Sequence, residues 1–383
     1  MTTSPEPFAS RWKRRARTIP TMVALTTIGI VASPIILVVS GAIDIVNRRP
    51  RLPSVRVALF LLQYAINDSV EILLAPVYWM AAGFGTRLDR PTSVRRHERL
   101  QAWSVDLLAR RAEQLLGLRL DIEPQVEALI GPGPVIVLCR HVNIVDASIP
   151  TVIYQRLGYR TRGVIMAELL ADPGFDLIYA RTGSVFIPRD NGPEALQILT
   201  DLHRGVDSTT AIVIFPEGRL FRPELLTRFL AKLTETNPVR AQRLAPLHYT
   251  LPPRPGGVLS LLTAMPNTDV VVIAHAGLDR FGTFADLARS VPLTDAIRLT
   301  AWRIAASDIP DNDGDRIAWL DEQWLRVDRY VGQSLQDPMI GGNNATRHVT
   351  IGAPLPDTGL LNPLNTRSGG VVNVAATSIP LCR

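Results

Sequence analysis

An imidazole five residues ahead of a carboxylate, His141-Val-Asn-Ile-Val-Asp146, is the pairing in this sequence with the widest chemical reach. A hydroxyl ionises far above pH 7, and imidazole is the natural base to take its proton near neutrality; an aspartate beside the ring fixes its tautomer and stabilises the imidazolium that forms. Positions five apart do not share one helical face, but a turn between a strand and a helix can return the carboxylate to the ring. The pair follows the apolar run Val135 to Cys139, so His141 is expected at the carboxyl end of a strand, the edge where open α/β sheets collect ligands. On spacing alone, the commoner reading is an ordinary loop histidine and an aspartate that caps the next helix. Two other pairs compete: His275 with Asp279, behind the run Val270 to Ala274, and His203 with Asp207, at the end of a helical stretch.

Three further blocks lie downstream. Gly183-Ser-Val-Phe-Ile-Pro-Arg189 ends a short apolar run on an arginine that can meet a phosphate with a bidentate fork, or simply pair with Asp190 or Glu194. Phe215-Pro-Glu-Gly218 follows another run; Gly218 permits a close backbone turn, and Glu217 is either a site residue or a solvated turn residue. Leu251-Pro-Pro-Arg254-Pro-Gly-Gly257 is the third. Other chemistries lack their signatures. There is no G-x-S-x-G elbow, no Walker pattern and no H-E-x-x-H, and Gly131-Pro-Gly133 precedes its strand instead of following it as a dinucleotide loop does. Cys139, inside an apolar run, reads as a buried strand cysteine and not as an acyl carrier.

The elements that must hold these residues are short β-branched runs alternating with helical stretches. The runs are Val135 to Cys139, Arg162 to Met166, Ser184 to Ile187, Ala211 to Phe215 and Val270 to Ala274; stretches such as Pro193 to Arg204 and Pro223 to Glu235 open with proline at the first helical turn. This alternation predicts an α/β fold, a largely parallel or mixed sheet flanked by helices. An amphipathic helix is expected over Ser93 to Leu118, carrying Trp103, Val105, Leu108, Ala112 and Leu115 on its apolar side, and a last helix over Ile317 to Val331. Beyond Gly332 the Gly, Asn, Pro, Thr and Ser content without periodicity predicts a loosely ordered tail, in which Asn344-Ala-Thr346 is a chance sequon.

Hydrophobic residues make up 46% of the 383, and the excess is local. Thr18 to Ile43 holds no charged residue over 26 positions, enough for a span that needs roughly 20 helical residues and too long for a secretory signal core. Val57 to Phe84 is a second apolar stretch, interrupted by Asn67, Asp68 and Glu71, which lipid tolerates only where they reach headgroups or a protein interior. An N-terminal membrane helical hairpin over residues 1–92, a main domain over 93–331 and a tail over 332–383 are therefore expected. The net charge of +6 is concentrated in residues 1–100, which hold 14 basic and 6 acidic side chains around the apolar segments. Such a distribution favours anionic lipid headgroups over nucleic acid. A hairpin returns the chain to its starting side, so the main domain is expected on the cytoplasmic face, a setting in keeping with only two cysteines, Cys139 and Cys382. Oligomeric state is not legible.

Taken in order, the blocks resemble the glycerolipid acyltransferase family that includes the 1-acylglycerol-3-phosphate acyltransferases: H-x-x-x-x-D at His141 and Asp146, G-x-(I/V)-F-I-x-R at Gly183 to Arg189, and F-P-E-G at Phe215 to Gly218. Leu251 to Gly257 resembles the L-x-P-R-x-x-G block of the subgroup containing lysocardiolipin acyltransferases. The resemblance spans roughly residues 120–290. It implies an O-acyltransferase moving a fatty acyl chain from acyl-CoA, as co-substrate, to the hydroxyl of a lysophospholipid or 1-acylglycerol 3-phosphate, with His141 as base oriented by Asp146 and with neither metal nor resident cofactor. It also implies that Gly183, Phe186, Ile187 and Arg189 shape the acceptor pocket, and that Glu217 and Gly218 order the site beneath it. Arg219 and Arg254 are candidate phosphate partners, because Met166 stands near the place of the lysine usual in lysophosphatidate-specific members and no threonine follows Gly218. The alternative is a non-catalytic lipid-binding or scaffold protein on the same fold.

Overall fold

The computed structural model describes residues 6–122, 129, 131–187, 198–199 and 201–336. Two long helices come first, α1 (Phe8–Val46) and α2 (Pro53–Ala81), and both are long and apolar enough to cross a membrane. Their outer faces are bare apolar surface, with Val31, Ile35, Val38, Ile45 and Leu73 all exposed. They form a hairpin. The Asp44 carboxylate at the end of α1 is fully buried and accepts the backbone N–H groups of Ser54 (2.9 Å) and Val55 (3.2 Å), two donors that the first turn of α2 leaves without helical partners. Midway, the Thr26 hydroxyl donates to the Ala65 carbonyl and accepts from Ser69.

Asn67, Asp68 and Glu71 face the protein, each at least 96% buried, so the polar interruption of the second stretch is absorbed by the interior and not by headgroups. The basic residues before α1 are partly spoken for as well. Arg15 forks onto the Asp176 carboxylate at 2.7 and 2.8 Å, and Arg14 pairs with Asp176 and Glu6.

Next comes α3 (Pro91–Arg111), which continues through a wider turn over Ala112–Leu116 and stops at Gly117, φ +71°. Val105 and Ala109 are buried on it, whereas Trp103, expected on the apolar side, is exposed. The remaining elements are β1 (Leu120–Ile122), β2 (Val135–Cys139), α4 (Ile149–Arg156), β3 (Arg160–Met166), α5 (Pro173–Leu177), β4 (Val185–Ile187), β5 (Thr210–Ile214), α6 (Pro223–Thr236), α7 (Pro238–Leu244), α8 (Pro255–Ala264), β6 (Asp269–Ala276), α9 (Phe284–Ser290), β7 (Ile297–Ile304) and α10 (Asp313–Gln336). The last helix thus starts four residues earlier and ends five later than its periodicity predicts. The rest of the expected tail, and half of the helix expected over Pro193 to Arg204, lie outside the described residues.

The seven strands form one mixed sheet in the order β1-β7-β6-β2-β5-β3-β4. β6, β2, β5, β3 and β4 run parallel, and β7 is antiparallel to β6. All five expected strands are present; β1 and β7 are additional. Alternation along β2 sends Val135, Val137 and Cys139 to one apolar layer, under α4 and α9, and Ile136 and Leu138 to the other, under α8 and α10. A strand buried on both faces reads as a continuous apolar run, which is why β2, β5 and β6 stand out in the sequence. Because the five strands are parallel, the residues that follow β6, β2, β5, β3 and β4 all emerge at one edge of the sheet.

Candidate active site

His141 lies two residues beyond β2, at that carboxyl edge. Its Nδ1 is 2.6 Å from Asp146 Oδ1, while Asp146 Oδ2 accepts the backbone N–H groups of Val142 (2.6 Å) and Asn143 (2.7 Å). The turn between them is a short 3-10 segment, Ile144–Ser148, with Asn143 as its cap: the Asn143 side chain accepts from Val145 N–H, and Asp146 reaches back to the Asn143 N–H. Asp146 is therefore not the helix cap its position suggested but the reciprocal partner of one. The cap is what folds the carboxylate back onto the ring. A carboxylate so placed accepts the Nδ1 proton, which leaves the Nε2 lone pair as the basic site. The histidine side chain is 20% exposed and Asp146 wholly buried, so the ring is open to solvent and the group that orients it is not. Phe215 stacks on the imidazole, centroids 4.6 Å apart.

Glu217 sits beneath. It is fully buried, with Oε1 accepting the His141 backbone N–H at 3.0 Å and Oε2 that of Leu251 at 2.8 Å. Burial pushes its carboxyl up to about 7 against the opposing pull of Arg140 and the two N–H donors. Phe221 N–H donates to the His141 carbonyl at 2.8 Å, so the chain on both sides of Gly218 is stitched to the His141–Asp146 turn. Gly218 has φ +64°, and a Cβ there would stand 3.1 Å from Arg254 Cδ.

Arg254 donates its backbone N–H to the Pro216 carbonyl and lays its guanidinium over the Phe229 ring at 5.7 Å. Burial lowers its pKa, and the nearby Arg219 charge adds to that effect. Two guanidinium groups beside the Glu217 turn, neither with a carboxylate partner among the described residues, make a place for an anion.

The second block is only partly brought to this site. Gly183 precedes β4 and so lies at the amino edge of the sheet, opposite to His141; its φ of +84° and the Arg162 Nε that a Cβ would meet at 2.7 Å give it a backbone role. Phe186 and Ile187 are buried in β4, three strands from β2 or roughly 14 Å across the sheet. Arg189 lies outside the described residues. The exposed Met166 closes β3 at the carboxyl edge.

The competing pairs are resolved. Asp207 belongs to the amino edge, where it is held by Arg160 at 2.5 Å and by Thr209, and its pKa is lowered by these partners despite the opposing cost of burial. Asp279 binds the buried Arg140, not His275. His275 is wholly buried in β6 and approaches the first pair instead, its Nε2 lying 3.6 Å from Asp146 Oδ2. Arg140 is the site residue that sequence reasoning missed, and His275, paired there with Asp279, meets Asp146 instead; only the long-range register between β2 and β6 could have shown both. Cys139 is fully buried, and burial, reinforced by the charges of Asp146 and Glu217, raises its thiol pKa well above the ordinary value.

No curated protein matches the chain. Among solved structures it is similar to the crystal structure of the 1-acyl-sn-glycerophosphate (LPA) acyltransferase, PlsC, from Thermotoga maritima, at 14% identity and a TM-score of 0.42, over 73% of this chain and 98% of that one. Residues 122–291, which carry His141, Asp146, Glu217, Gly218, Arg254 and His275, match the family model described as Acyltransferase.

Proposed function

We propose that this chain is a membrane-anchored O-acyltransferase that moves a fatty acyl group from acyl-CoA to the free hydroxyl of a lysophospholipid. The observation that carries the reading is the 2.6 Å contact between His141 Nδ1 and the buried Asp146, which leaves Nε2 as a base at an accessible sheet edge. In the reaction, Nε2 takes the hydroxyl proton as the acceptor oxygen attacks the thioester carbonyl carbon. The C–S bond then breaks, and the departing thiolate takes the proton from the imidazolium, giving acylated lipid and free CoA. Asp146 supports the transient positive charge. Transfer is direct, since the buried Cys139 is no candidate for carrying the acyl group.

The two apolar helices support attachment to a membrane, with the catalytic domain on the cytoplasmic face; retention of the full-length protein in membranes through a carbonate wash tests the anchor. For the acceptor, Arg219 and Arg254 favour a phosphate-bearing headgroup, and Met166 in place of a cation makes a phosphodiester, as in a headgroup-bearing lysolipid of the lysocardiolipin-like subgroup, a close rival to lysophosphatidate. Purified membranes supplied with radiolabelled acyl-CoA and a panel of lysolipids decide among these. His141→Ala should lower transfer by roughly 10² to 10⁴-fold, with Asp146→Asn close behind. A loss of less than about tenfold at His141 overturns the assignment, and no transfer to any lysolipid favours a non-catalytic lipid-binding protein.

A further inference from the structure

The last rung of the ladder between β2 and β6 joins Cys139 to Ile273, yet the pairing does not stop there. Arg140 N–H donates to the Ile273 carbonyl at 3.3 Å, the Arg140 guanidinium donates to the His275 carbonyl at 3.0 Å, and His275 Nε2 lies 3.0 Å from the Arg140 carbonyl. A carbonyl only accepts, so His275 carries its proton on Nε2. The same nitrogen lies 3.6 Å from Asp146 Oδ2, too long for a hydrogen bond but close enough for the N–H dipole to act on the carboxylate. Burial lowers the pKa of His275, and Nδ1 has no hydrogen-bond partner among the described residues; both keep the ring neutral. The charged groups facing it are Asp146 from the 3-10 turn, Arg140 from the end of β2 and Asp279 from the loop after β6.

We propose that His275 is a positioning residue for the His141–Asp146 pair: its Nε2–H clamps the peptide immediately before His141 and presents a fixed dipole to the Asp146 oxygen that the catalytic ring does not use. The proposal rests on the acyltransferase reading above. The ring is fully buried, so it does not touch substrate, and its effect passes through Arg140 and Asp146. A β-strand residue chosen for packing alone would be aliphatic here, as are its neighbours Val272, Ile273 and Ala274.

Two amides of similar polarity separate this role from simple core filling. Gln places a donor near the position of Nε2, whereas Asn reaches only that of Nδ1. His275→Gln should keep kcat within about threefold of wild type, while His275→Asn should lose about 10- to 100-fold in kcat with little change in KM, as expected for a base displaced by a fraction of an ångström. Wild type and His141→Ala are assayed alongside: inactivity of the wild type, or activity in His141→Ala, refutes the acyltransferase reading itself. With that reading intact, equal effects of Gln and Asn, a greater loss with Gln, or a loss in Asn carried by KM instead of kcat overturns the positioning role.

Discussion

Replacing Glu217 by Gln should change stability with a sign that depends on pH. In the wild type both carboxylate oxygens accept, one from His141 N–H and one from Leu251 N–H. Gln keeps one acceptor and turns an NH₂ toward the other donor, which leaves a buried N–H unsatisfied at a cost of about 1–3 kcal/mol. Against that stands the cost of ionising the carboxyl inside the protein. Burial raises it from 4.5 to about 7, which at roughly 1.4 kcal/mol per unit of pKa is about 3 kcal/mol. Because the folded value lies above the unfolded one, this contribution to stability is complete below pH 4.5 and is lost as pH rises through 7. Gln does not titrate. Glu217→Gln should therefore be less stable than wild type by about 1–3 kcal/mol near pH 4.5, and equal to or slightly more stable than wild type at pH 8. Unfolding midpoints in detergent across this range measure the gap directly. A gap that stays constant from pH 4.5 to 8 refutes the buried-carboxyl argument. Activity should fall at every pH, by roughly 10- to 100-fold, since the His141 backbone loses part of its anchor.

Three other outcomes are expected. Gly218→Ala places a Cβ at φ +64° and 3.1 Å from Arg254, so it should cost about 1–2 kcal/mol in stability and weaken the KM for a phosphate-bearing acceptor more than the KM for acyl-CoA, as acceptor titrations would show. Cys139 should resist maleimide in the folded protein and react only on unfolding, and no labelled acyl group should be trapped on it; rapid labelling in the native state contradicts its burial. Asp44→Ala removes two capping bonds from the start of α2 and should destabilise the hairpin by about 1 kcal/mol, visible as faster proteolysis in the Asn47 to Leu52 loop.

What the sequence disclosed and what it withheld differ by range. His141 and Asp146 are legible because one short capped turn brings them together, and β2, β5 and β6 because strands covered on both faces are apolar throughout. β7 escapes notice because Arg298, Thr300 and Arg303 break its run; Arg303 Nε donates to Asp269 across the pair at 2.7 Å, a partner 34 residues away. A longer separation, 135 residues, hides the clamp between Arg140 and His275. Gly183 shows the converse limit: a block fixes the order of residues along the chain but not the edge of the sheet to which each is delivered.

The junction between hairpin and sheet has a mechanical consequence. Val57 and Phe60 of α2 pack on the main core, Ile19 and Met22 of α1 pack around Leu177 and Ile178, and Arg14 and Arg15 are locked to Asp176. With the two helices in a bilayer, these contacts act as a rigid strut in place of a tether, and the height of His141 above the lipid surface becomes a dimension of the fold. In the proposed reaction an acceptor hydroxyl would then be met only at the depth where its own glycerol backbone floats, which would make the membrane a ruler for the chemistry, and a version cut free of the hairpin would lose one wall of its body along with its gauge.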